Sequence, residues 1–161
     1  MTAIGESAFA ECTSLQHIEL PDSVETIEDS AFYRCESLNK MIIHDGVTMI
    51  GDCAFEYCSA LQHIAIPNSV IAIGHSAFHD CCELERIELP IGIKAISPSV
   101  FYDCTSLMSA KISNSVTTIG EAAFYNCGVL TGITIPESVT TIGDEAFLGC
   151  SSLRDIIIPS E

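Results

Sequence analysis

A chain of 161 residues with 22 acidic side chains against 6 basic ones carries a formal charge of −16. It lacks the clustered Lys and Arg that nucleic acid or an anionic membrane surface requires, so neither is an expected partner; basic or cation-dependent partners suit it better. Its 48% hydrophobic residues and mean hydropathy of +0.38 suffice for one domain's core, yet no apolar run approaches the roughly 18 residues of a membrane span, which argues against direct membrane insertion.

Met1-Thr2-Ala3 opens the chain without the charged and apolar regions of a signal peptide, so none is expected in this stretch of protein. At Ile4-Gly5 a unit begins that recurs every 23 residues without insertion. Phenylalanine returns from Phe9 to Phe147, cysteine from Cys12 to Cys150 and leucine from Leu15 to Leu153, seven times each. A fixed period in this range marks a solenoid, because no unit of that size buries its apolar face alone and neighbours must stack.

Each unit reads the same way in chain order. A glycine (Gly5, Gly51, Gly74, Gly120, Gly143) permits a bend, and an acidic residue such as Glu6, Asp52, Glu121 or Asp144 follows it. That acid is expected to stabilise the free amides of a short helical or 3₁₀ turn holding Ala-Phe. After the leucine comes a strand with the period-2 pattern of a half-buried sheet, as in His63-Ile64-Ala65-Ile66. Pro67 then stops the ladder, Asn68-Ser69 turns, and Val70 and Ile73 point inward again. Columns such as Val24, Val47, Val70 and Ile27, Ile50, Ile73 predict one continuous core.

Nine cysteines invite a disulfide reading, but seven hold one repeat position and only Cys53 and Cys82 fall outside it. Stacked equivalents project parallel Cβ bonds about 4.8 Å apart, whereas a disulfide prefers converging Cβ atoms nearer 3.8 Å. Buried free thiols acting as small hydrophobes are expected.

The unit Leu130-Thr131-Gly132-Ile133-Thr134-Ile135-Pro136-Glu137-Ser138-Val139-Thr140-Thr141-Ile142-Gly143, with Ala-Phe-x-x-Cys-x-Ser after it, resembles the BspA-like, or Treponema pallidum-type, class of leucine-rich repeats across essentially the whole chain. The resemblance implies an α/β repeat solenoid. It is a horseshoe of seven 23-residue repeats within a single domain, 1–161, with a parallel β-sheet on the concave face and short helical, 3₁₀ or extended segments on the convex side. It also implies a secreted or cell-surface protein used in adhesion, with no shared catalytic motif. Departures are local: His44 and Ser113 replace the strand-ending proline, Glu28 and Ser97 replace the glycine, and the fifth repeat carries Pro98, Val100 and Ala110. Neither end resembles a polar cap, which predicts a segment of a longer array or a naturally capless member, and open edges that invite end-to-end self-association.

Function is expected on the outward strand positions, where the repeat stops repeating. One column runs His17, Lys40, His63, Arg86, Ser109, Gly132, Asp155; its neighbour includes Glu19, Ala65, Glu88 and Lys111. The candidate binding residues are therefore His17, Glu19, Lys40, His63, Arg86, Glu88 and Lys111, a mixed-charge strip for a protein or glycan partner. The competing expectation is an ordinary solvated face with cross-strand pairs such as Glu19–Lys40. No catalytic residue, cofactor or metal site is expected: no phosphate loop or nucleophile elbow is present, and the densest ligand-type run, His79-Asp80-Cys81-Cys82, spends Cys81 on the core column. Tyr33, Tyr102 and Tyr125 offer a weaker second contact surface. An intracellular scaffold using the same strand face is the alternative to adhesion.

Overall fold

The computed structural model describes residues 1–158 as a parallel-strand solenoid of about six turns. Seven phenylalanine rings stack along it as six successive pairs, with centroids 5.3–5.8 Å apart. The seven units of the sequence thus enclose about six windings, because seven stacked positions bound six steps.

Two parallel ladders run along the molecule. The first joins His17–Glu19, Lys40–Ile42, Arg86–Glu88, Ser109–Lys111 and Gly132–Ile133, with His63 bridging Lys40 to Arg86 in the third rung. The second joins two-residue strands in the isoleucine column: Ala3–Ile4, Thr26–Ile27, Met49–Ile50 and Ala72–Ile73, then, after an interruption, Ala95–Ile96, Thr118–Ile119 and Thr141–Ile142. Register is one residue to its equivalent 23 positions on, as at Ile27↔Ile50 and Ile87↔Ala110. The two ladders are joined by a tight turn in which Val24, Val47, Val70, Ile93, Val116 and Val139 each donate an amide three residues back. His44 and Ser113 keep that turn, since the proline they replace supplies only its carbonyl.

The third side departs from expectation. Among the described residues it contains no helix or 3₁₀ segment; Gly5 to Cys12 and its equivalents form a run of turns. The reason lies in the amides. Ala8, Ala10 and Cys12 donate three residues back, whereas Ser7, Phe9 and Glu11 donate to Asp29, Ala31 and Tyr33 of the next rung. That alternation turns every second amide out of the local path. It also places two residues per rung at positive φ, from Ser7 and Glu11 (55° and 60°) to Glu145 and Gly149 (57° and 81°). Two acids of that column act across rungs: Asp29, which follows Glu28, accepts the Asp52 amide on Oδ1 at 2.8 Å, and Asp52 Oδ1 accepts that of His75 at 2.7 Å. They cap the neighbouring rung's turn rather than their own.

The core is one stack. Phe32, Phe55, Phe78, Phe101 and Phe124 are fully buried, as are the leucines from Leu38 to Leu130. All nine cysteines are free, and six of the repeat column, Cys35 through Cys150, are buried. Each of those six does more than fill space: its thiol lies 3.1–3.2 Å from the carbonyl of the phenylalanine one rung back and donates to it. Burial pushes the Cys35 thiol up to about 11 and Cys53, with Glu56 beside it, up to about 12; Cys58, Cys81 and Cys104 are also raised by burial. These groups stay protonated in the folded chain after an unfolded chain would have ionised. The stability they contribute is complete below the ordinary thiol pKa of about 8.5 and falls as pH rises above it. The melting temperature should therefore drop between pH 8 and pH 10. Thiol titration should find Cys12 reactive in the native chain and nine thiols after unfolding; fewer than nine without reductant would contradict the free-thiol core. No helix among the described residues is long and apolar enough to cross a membrane.

Candidate interaction surfaces

The first ladder brings the predicted strip together. His17 pairs with Lys40, Lys40 with His63 and His63 with Arg86, so four candidate residues stand in unbroken register on one exposed face. Glu19 lies opposite Ile42 in the adjacent column, and Glu88 lies opposite Lys111. Strand geometry explains the exposure: His17–Glu19, Lys40–Ile42 and Arg86–Glu88 all point their outer two residues to solvent and the middle one inward. The expected Glu19–Lys40 pair does not form. Among the described residues the strip holds one ion pair, Lys111 with Glu88, exposed enough to contribute little to stability. Lys40 and Arg86 are in no ion pair among these residues. A shallow depression between rungs is lined by His63, Ala65, Arg86, Glu88, Ser109 and Lys111.

The turn side carries a second feature that the sequence showed only in part. Tyr33, Tyr57, His79, Tyr102 and Tyr125 form a chain of rings in contact, at successive centroid distances of 5.8, 5.7, 4.7 and 4.4 Å. In the sequence the tyrosine column is interrupted between Tyr33 and Tyr102 by Glu56 and His79. His79 fills one gap from the same repeat position, and Tyr57 fills the other from one residue later, where Glu56 takes the column position. The Arg34 guanidinium lies 5.6 Å from the Tyr33 ring and 5.1 Å from that of Tyr57. Such contacts favour the cation.

At the middle of this strip His79 sits between two carboxylates. Its Nδ1 is 3.2 Å from Glu56 Oε1 and its Nε2 is 3.1 Å from Asp80 Oδ2. Partial burial raises the Asp80 carboxyl; His79 opposes the rise and Asp103, one rung on, adds to it. Asn126 donates to Asp103 Oδ1 at 2.6 Å. The run His79-Asp80-Cys81-Cys82 does not converge as a unit: Cys81 is buried and donates to the Phe55 carbonyl, while Cys82 lies 3.8 Å from Asp80 Oδ1.

A family model described as "BspA type Leucine rich repeat region (6 copies)" matches residues 1–104 and 71–161. A leucine-rich cell-surface protein of Faecalibacterium prausnitzii is 39% identical, with a TM-score of 0.88 over 96% of this chain and 42% of its own. The Treponema pallidum leucine-rich repeat protein is 33% identical, with a TM-score of 0.92 over 96% of this chain and 72% of its own. A leucine-rich repeat protein of Eubacterium ventriosum is 31% identical, with a TM-score of 0.66 over 88% of this chain and 44% of its own. The chain thus spans less than half of two of these relatives. None of the curated proteins matches.

Proposed function

The chain belongs to the BspA-type leucine-rich repeat family, and from that premise we propose that it is a non-catalytic interaction module of a secreted or cell-surface protein, holding a protein or glycan partner on its strand face. One observation carries the reading. His17, Lys40, His63 and Arg86 stand in consecutive register, all exposed, on a face where successive rungs carry different side chains. Elsewhere the rungs repeat one another because each must pack against its copy; a face freed from that demand is where recognition can vary. Lys40 and Arg86 offer cationic contacts on a strongly acidic chain, and Glu19 and Glu88 set a pattern a partner must match. The F. prausnitzii relative, described as a cell-surface protein, supports the location.

The nine free thiols favour a second reading, an intracellular scaffold using the same face. A signal sequence or membrane anchor in the parent gene supports the first reading and removes the second. The binding test is a protein and glycan array screen, followed by the double variant Lys40→Glu/Arg86→Glu against the ligand found. Binding should weaken by more than about tenfold, since each reversal turns an attractive rim contact repulsive. Unchanged affinity would move the docking site off the strand face.

A further inference from the structure

We propose that His79, Asp80 and Asp103 form a binding site for a divalent transition-metal ion of the zinc class on the turn side, apart from the strand face. One ligand-type atom from each residue lies within 4.8 Å of the other two. The site is built across the repeat: His79 and Asp80 come from one rung, and Asp103 occupies the Asp80 position of the next.

Each of the three has one atom held by a neighbour outside the group, and the second atoms of His79 and Asp80 face each other. Glu56 Oε1 holds His79 Nδ1, the Cys82 thiol leans on Asp80 Oδ1, and Asn126 donates to Asp103 Oδ1. Outer groups that orient a ligating histidine and carboxylates in this way are the usual surroundings of a protein-bound metal. His79 Nε2 and Asp80 Oδ2 face each other at 3.1 Å, so one cation could take a lone pair from each. Asp80 and Asp103 add a like-charge contact between half-buried carboxylates of neighbouring rungs. A metal ion relieves that repulsion.

The dimensions fit. At bond lengths of about 2.0–2.1 Å a tetrahedral ion holds its ligands roughly 3.3 Å apart. His79 Nε2 and Asp80 Oδ2, 3.1 Å apart, lie close to that spacing, and the three ligand-type atoms lie within 4.8 Å of one another. Three protein ligands leave the fourth position to water. An imidazole among the ligands selects zinc, cobalt or nickel over calcium and magnesium, which take oxygen alone.

Cobalt(II) is the probe, because it distinguishes this site from the thiols. The reduced full chain should take up one ion with visible d–d bands and no thiolate charge-transfer band. Zinc should displace it and a large excess of calcium should not. Asp103→Asn and His79→Gln should each weaken uptake at least about tenfold, and Glu56→Gln, which only loosens the histidine, by about tenfold to a hundredfold. His79→Gln also alters the ring strip, so Asp103→Asn, with an unchanged circular dichroism spectrum, is the deciding variant. No uptake by the wild-type chain, uptake carrying a thiolate band, or equal uptake by Asp103→Asn would overturn the site.

Discussion

Phe78→Ala should lower the unfolding free energy by about 3–5 kcal/mol, the range for emptying a fully buried aromatic site. In a chain of this length that lowers the melting temperature by about 10 °C. The Phe78 ring is fully buried and stacks 5.3 Å from Phe55 and 5.8 Å from Phe101. Its backbone is tied equally firmly: the amide donates to Val100, and the carbonyl accepts the Cys81 amide and the Cys104 thiol. Because repeat stability is a sum over neighbouring rungs, a cavity here weakens two interfaces at once. Phe9→Ala should cost clearly less, since Phe9 is partly buried and stacks on one ring. Chemical denaturation of both variants measures the contrast; equal losses would mean that the stack does not carry the stability.

Gly74→Ala should cost about 1–3 kcal/mol or more, although it adds a single methyl group. A Cβ there would lie 2.5 Å from the Asp52 backbone nitrogen and from the Gly51 carbonyl carbon. Neither atom can rotate away. The rungs would have to part where Gly74 donates to Ile50 at 2.8 Å and His75 to the Asp52 carboxylate at 2.7 Å. Gly5→Ala is the control: its Cβ would meet nothing nearer than Glu28 Oε2 at 3.9 Å, so the change should stay within about 0.5 kcal/mol. Glu28 and Ser97 occupy the same column with a Cβ of their own, so the penalty belongs to the close approach at Gly74 and not to the column as such. A Gly74→Ala chain as stable as wild type would show that this spacing is soft.

The 23-residue period made the core legible because burial imposes one requirement on every rung: the same shape at the same place. Val24, Val47, Val70 and the phenylalanines were readable for that reason. The turn side was not, because its conformation is decided by amide partners on the next rung. A short acid-capped segment looks locally like a helical turn; alternate donation from Ser7, Phe9 and Glu11 to the next rung makes it something else. The ring strip was half-visible. Tyr33, Tyr102 and Tyr125 share a column, but Tyr57 enters it from one position later, a shift that only the fold reveals. The His79-Asp80-Asp103 group was hidden by reading ligand-type residues along the chain rather than across one period, where Asp80 and Asp103 are adjacent. Charge pairing on the strand face was also unreadable. Long exposed side chains choose among several partners at little cost, and Glu88 took Lys111 while Lys40 stayed free of ion pairs among the described residues.

Recognition is proposed on the strand face, where the rungs differ. Lysine acetylation footprinting of the chain, alone and saturated with a ligand found by the array screen, tests that placement most directly. Lys40 and Lys111 stand on the strand face, and Lys94 is exposed just before the second ladder's Ala95–Ile96 strand. Bound ligand should slow acetylation of Lys40 and Lys111 and leave Lys94 unchanged. Protection of Lys94 with Lys40 and Lys111 still reactive would contradict recognition on the strand face.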